Sequence, residues 1–84
     1  MNDRSLRAEV RNPVMALPGM AALRALSPEV RAILADVLNS IRLDARGRAD
    51  ECWRKHKAPM AAYWKAVSVY AGHIRRAIAN GGAS

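Results

Sequence analysis

The chain is poor in the residues that hold small proteins together chemically. Cys52 is its single cysteine, and His56 and His73 are its two histidines. One thiol cannot close an internal disulfide, and one thiol with two imidazoles falls short of the four ligands of a structural zinc site. Signatures of catalysis are missing too. There is no phosphate-cradling glycine loop, no GxSxG elbow and no HExxH pair. The seven acids are scattered over faces expected to be wet, so paired carboxylates for acid and base work have no home. No enzyme, cofactor or small-molecule substrate is expected.

Long apolar runs are also lacking. The longest uncharged stretch, residues 12–23, is too short to cross a bilayer and contains Pro18 and Gly19. It follows Arg4, Arg7 and Arg11, which imitates a secretion signal. Asp3 and Glu9 interrupt those arginines, however, and Arg24 falls where a cleavage region would lie. With an unpaired cysteine, the expected setting is a reducing cytoplasm, with no membrane partner.

What is present is apolar residue and positive charge. Hydrophobic residues make up 51% of the 84-residue chain, enough to fold but close to the size at which one core is marginal without further support. Disulfide and metal being excluded, association with another chain is the remaining source of support. Fourteen Lys and Arg against seven acids give a net charge of +7, which favours an acidic protein face or nucleic acid as partner.

The strongest periodic segment is residues 58–79, APMAAYWKAVSVYAGHIRRAIA. At about 100° per residue, Met60, Tyr63, Trp64, Val67, Tyr70, Ala71, Ile74 and Ile78 share one broad face. A second stripe of Ala62, Ala66, Val69, His73 and Ala77 lies nearly opposite. A helix apolar on two sides is expected to be sandwiched, so this second stripe is assigned to a dimer interface. Lys65, Ser68, Gly72, Arg75 and Arg76 are left as a narrow cationic strip for solvent.

Upstream, Ser27-Pro28-Glu29 reads as N-cap, first helical residue and dipole-facing acid. The helix it starts carries an apolar stripe through Val30, Ile33, Leu34, Val37, Leu38 and Ile41, continued by Ala45, Ala49 and Cys52 with His56 on the same side. Gly47 weakens the middle, where the helix either bends or runs through. Asp50 and Arg54 are spaced to pair. Unbroken to Lys55, the helix would be about 42 Å long and would protrude from a globule.

Lys57-Ala58-Pro59 marks a reversal. Folded back there, Cys52 comes level with Tyr63 or Trp64, Ala49 with Val67, Ala45 with Ala71 and Ile41 with Ile74, large against small. Before these helices, Leu17-Pro18-Gly19 signals a turn, with Met20, Leu23 and Leu26 following on one side of a short helix. Residues 1–13 form a basic arm, residues 14–80 a single all-α domain, and residues 81–84 a loose tail after an Asn80-Gly81-Gly82 stop. The fold expected is thus a short N-terminal helix and a long antiparallel helical hairpin, dimerising into a helical bundle.

Candidate chemistry is confined to surfaces. Cys52 and His56 stand four apart on one helical face, but nothing supplies an orienting group or an oxyanion pocket, and a lone cysteine is more often a small buried hydrophobe. The cluster Arg54, Lys55, His56 and Lys57 sits beside Trp53 and near Trp64 and Lys65. Trp53 points well away from the helix stripe and is expected to be partly exposed. The candidate binding face is therefore Trp53, Arg54, Lys55, Lys57, Lys65, Arg75 and Arg76. A helix-turn-helix is excluded, because the turn before Val30 is tight and marked by proline and the helix after it begins too apolar to read bases.

The runs KAPMAAYWKAVSVYAGHIRRA at 57–77 and LPGMAALRALSPEVRAIL at 17–34 resemble small uncharacterised helical proteins of bacterial phages and prophages. The resemblance implies a bacterial cytoplasmic setting and a regulatory or host-directed binding role, and transfers no functional residue. The expected function is a non-enzymatic, basic protein-binding module, a regulator or inhibitor acting on an acidic protein partner. The alternative is a nucleic-acid-binding protein that contacts phosphates through the same Arg and Lys side chains.

Overall fold

The computed structural model of the chain describes residues 12–79. Residues 1–11 of the expected basic arm and the glycine stop after Ala79 lie outside them, while Asn12 and Pro13 of that arm fall within the described fold. A 3-10 turn at Pro13–Ala16 leads into three helices, α1 (Pro18–Arg24), α2 (Pro28–Arg54) and α3 (Ala58–Ala79), and no strand occurs among the described residues.

Each helix begins where local chemistry allows it. Pro18 opens α1 at a position whose N–H would have no partner anyway. Ser27 caps α2, its Oγ accepting the Val30 N–H at 3.3 Å. Gly47 does not break α2, which runs through all 27 residues. Beyond Arg54, the Lys57 N–H donates to the Cys52 carbonyl at 2.8 Å and the His56 N–H to the Trp53 carbonyl at 3.1 Å. This double closure requires a left-handed residue just past the helix, and His56 takes that role at φ 60°. His56 is therefore outside the helix, and the expected shared face with Cys52 does not exist.

The α2–α3 hairpin packs through small side chains. Ala45 and Ala49 on α2, and Ala61, Ser68, Ala71 and Gly72 on α3, are the buried positions along it. A Cβ built on Gly72 would stand 3.0 Å from Arg42 Cδ, and Ser68 Oγ lies 3.0 Å from the Arg42 carbonyl oxygen. Arg42 thus sits beside Ser68 and Gly72, roughly one turn nearer the reversal than the expected level of Ile41 with Ile74.

The packing face of α3 is also rotated from expectation. Ser68 and Gly72, assigned to the wet cationic strip, face α2, while Tyr63 and Tyr70 remain 56% and 58% exposed. The rings do not fill spaces left by alanines. Small residues on both helices let the backbones close up directly, and bulky rings at the seam would hold them apart.

One larger core lies at the far end of the hairpin. Met20, Ala77 and Ile78 are its buried centre, with Val14, Met15, Leu23, Leu34, Leu38 and Ile74 packed around them. Asn12, itself buried, donates from Nδ2 to the His73 carbonyl at 2.7 Å and ties the entering chain to α3. Arg31 bridges two segments at this end, donating to the Leu26 carbonyl from Nε and to the Ile78 carbonyl from Nη1. Leu26, expected beside Met20 and Leu23, falls past the end of α1 and is 37% exposed.

Ala77 belongs to this core, so it is unavailable to the dimer stripe in which the periodicity places it. The molecule measures 43 × 38 × 17 Å, a slab as long as α2 and less than two helix diameters thick. Its radius of gyration of 14.8 Å exceeds the roughly 12 Å of a compact domain of this length. Ile78 is the single large side chain fully removed from water among the described residues.

Candidate binding groove

Closing two helices through small residues leaves a furrow along one side of the hairpin. Its floor is Ala49 of α2 with Ser68 and Gly72 of α3, and it encloses about 380 Å³. Arg42 and Arg46 rise from α2, Lys65 and Arg76 from α3, and His73 lies among them, against Asp50 as the one acid in the lining. Toward the reversal the furrow continues into a more apolar recess of about 320 Å³, walled by Trp53 and by Ala58, Ala61 and Ala62. Ala49, Asp50 and Lys65 line both, so the two form a continuous surface.

Some cations of the hairpin are already paired. Arg48 pairs with Asp44 at 3.0 Å and sits 5.2 Å from the centre of the Trp64 ring. Arg54 and Lys55 both pair with Glu51, the Lys55 contact being 3.2 Å. Arg54 therefore bonds three residues back to Glu51, not to Asp50 as expected. The Arg54 and Lys55 side chains beside it hold the Glu51 carboxyl below its ordinary pKa.

In the furrow, by contrast, Arg42, Arg46, Lys65 and Arg76 make no ion pair among the described residues. Arg42 is aimed by a neutral partner, Asn39, whose Oδ1 accepts from Nε at 3.2 Å and from Nη2 at 2.8 Å. Such a set can do one thing chemically: concentrate positive potential in a concave strip and receive anionic oxygens.

The residues expected to form one basic face are thus dispersed. Lys65 and Arg76 reach the furrow, and Trp53, 67% exposed, walls its recess as its direction on the helix implies. Arg54 and Lys55 are already paired, Lys57 is exposed at the reversal, and Arg75 is half-buried, its Nε buried without a partner among the described residues. Arg42, Arg46 and His73 complete the furrow instead. Arg42 and Arg46 were visible as a four-residue pair on one side of α2, but their meeting with Lys65 and Arg76 depends on how the hairpin is rotated.

The stripe expected to bind a second copy is likewise divided. Ala62 lines the recess, Val69 and His73 line the furrow, Ala66 is exposed and Ala77 is in the core. Among the described residues, no three His, Cys, Asp or Glu side chains come together as a metal site would need. No described helix is long and apolar enough to cross a membrane. No protein-family model matches this chain, and no curated protein or solved structure is significantly similar to it.

Proposed function

We propose that the protein is a non-enzymatic binding module, a regulator or inhibitor, that receives an acidic segment of a protein partner in the furrow between α2 and α3. We also propose that it acts as a dimer that completes a helical bundle. The observation that carries the binding reading is the convergence of Arg42, Arg46, Lys65 and Arg76 on one concave strip while Arg48 and Arg54 on the same helix α2 are neutralised by Asp44 and Glu51. Unpaired cations side by side repel one another, and a partner carboxylate relieves that repulsion as it binds.

The small floor lets a partner's main chain come close, and the adjoining recess beside Trp53 suits one aliphatic or aromatic side chain. The partner is accordingly an acidic stretch with an apolar anchor at one end. A second reading, single-stranded nucleic acid, is favoured by the exposed Trp53 ring at the end of a cationic track, an arrangement suited to base stacking.

A titration followed by tryptophan fluorescence separates them, using an Asp/Glu-rich peptide with and without a terminal leucine and a single-stranded oligonucleotide of equal charge. Tighter binding of the anchored peptide, weakened about tenfold or more by Arg46→Glu or Lys65→Glu, supports the protein reading. Binding of the oligonucleotide alone, with a steep inverse dependence on salt, replaces it by the second. No binding of any of the three at low salt removes both.

A further inference from the structure

One side of α2 is apolar and covered by nothing in the described chain. Val30, Ile33, Val37 and Ile41 follow one another at spacings of three, four and four, and are 41%, 62%, 50% and 42% exposed. On the helix they fall within an arc of about 80°, next to Leu34 and Leu38, whose side chains pack into the core. We infer that this seam is where a second copy of the chain docks, its α2 antiparallel to the first. The inference rests on the dimer reading above but moves the interface from α3 to α2.

The pattern itself favours a second copy. Read backwards, Val-Ile-Val-Ile becomes Ile-Val-Ile-Val, so an antiparallel copy sets Val30 against Ile41 and Ile33 against Val37, and then the same pairs again in mirror order. Every level joins one valine to one isoleucine. A surface that matches itself under a two-fold rotation is what an isologous contact requires.

Charge points the same way. Two copies of a chain carrying +7 must meet where cations are balanced. In α3, Lys65, Arg75 and Arg76 are opposed by no acid, and the alanine stripe borders the cationic furrow. In α2, the acids Glu29, Asp36, Asp44, Asp50 and Glu51 equal the arginines in number, and Arg48 and Arg54 are tied to Asp44 and Glu51. A two-fold contact through α3 would bring together a helix that carries cations and no acid, whereas one through α2 joins helices whose acids and arginines are equal in number and leaves both furrows open to a partner.

Thickness supplies the third reason. A slab 17 Å deep with a single large side chain fully buried gains most by adding a layer, and the seam lies along the edge of its existing core. The apolar strip is about three helical turns long, which places the contact at the lower end of specific interfaces, with dimerisation across roughly 1–100 µM.

Sedimentation velocity over that range tests the seam, with circular dichroism as a check that each variant folds. Ile33→Glu and Val37→Lys should each be helical monomers, since both positions are half or more exposed in the single chain. Mixing the two should restore a mixed dimer, because an antiparallel register faces the new glutamate with the new lysine. Ala66→Glu, on the exposed stripe of α3, should leave the dimer constant within about twofold. A wild-type chain that is monomeric throughout overturns the dimer reading and the seam together. A dimer broken by Ala66→Glu and indifferent to Ile33→Glu overturns the seam alone. Monomeric variants that do not recombine overturn the antiparallel register.

Discussion

Ser68 Oγ donates a 3.0 Å hydrogen bond to the carbonyl oxygen of Arg42, from the middle of one long helix into the backbone of the other. A hydroxyl two bonds from its own backbone can do this only when the helices pass close, and Gly72, one turn further along, leaves room for the Arg42 side chain to lie across α3. A methyl group at Gly72 would already be 3.0 Å from Arg42 Cδ. The contact places Arg42 at the furrow's edge, so packing and candidate function meet at this crossing.

Ser68→Ala should lower unfolding stability by about 0.5–1.5 kcal/mol, the ordinary net value of one hydrogen bond. Gly72→Leu should cost more, about 1–3 kcal/mol from overpacking, and should displace Arg42. Urea denaturation of the three chains checks the order. Equal stability of Gly72→Leu and wild type would mean that the Arg42 side chain moves aside without cost.

At the reversal, His56 stands at φ 60° without the freedom of glycine. His56→Gly should therefore raise stability by about 0.5–1 kcal/mol, the relief of a left-handed residue outweighing the added freedom of the unfolded chain. A rise in thermal midpoint reports it. The same substitution within α2, where glycine is unfavourable, would act in the opposite direction.

Gly47 provides that contrast. It lies inside α2, is exposed, and has no atom within 4 Å of where a Cβ would stand. Gly47→Ala should add about 1 kcal/mol by helix propensity alone, without altering the furrow. Calorimetry, together with unchanged peptide affinity, checks both halves of the expectation.

The Glu51 carboxyl titrates below its ordinary range because Arg54 hydrogen-bonds and attracts it, with Lys55 adding to the effect. Its folded pKa lies below its unfolded one, so its contribution is complete above the ordinary carboxylate range and disappears as pH falls toward the lowered value. The group is exposed, so the effect is small. An NMR titration should find Glu51 below the ordinary range of a glutamate side chain. The stability gap between wild type and Glu51→Gln should be larger near neutrality than at about pH 3.

How much of this was legible without coordinates varies by element. The extent of α3 follows from its periodicity between Pro59 and the glycines after Ala79. The start of α2 follows from Ser27-Pro28-Glu29, because caps and prolines act within a few residues of themselves. The end of α2 was misplaced by one residue and His56 by its role, since histidine is an uncommon choice for a left-handed position. The tilt of Trp53 into water was also readable, being set by its angle on one helix.

The rotation of one helix against another was not readable. Counted by hydrophobicity, Tyr63, Tyr70 and Ile41 belong inside and Ser68 and Gly72 outside. The folded chain reverses this, because two helices can close further on Ala45, Ala49, Ala61, Ser68 and Gly72 than on any ring, and the gain is shared along the whole contact. By itself the sequence determined three helices, the start of α2, the extent of α3 and a large positive charge, all properties of residues near one another in the chain. Tertiary structure alone decided that Arg42 and Arg46 would stand across from Lys65 and Arg76 and that Val30, Ile33, Val37 and Ile41 would be left in water. Those outcomes depend on which faces interlock, and close packing of backbones selects the faces where polarity by itself would have chosen others.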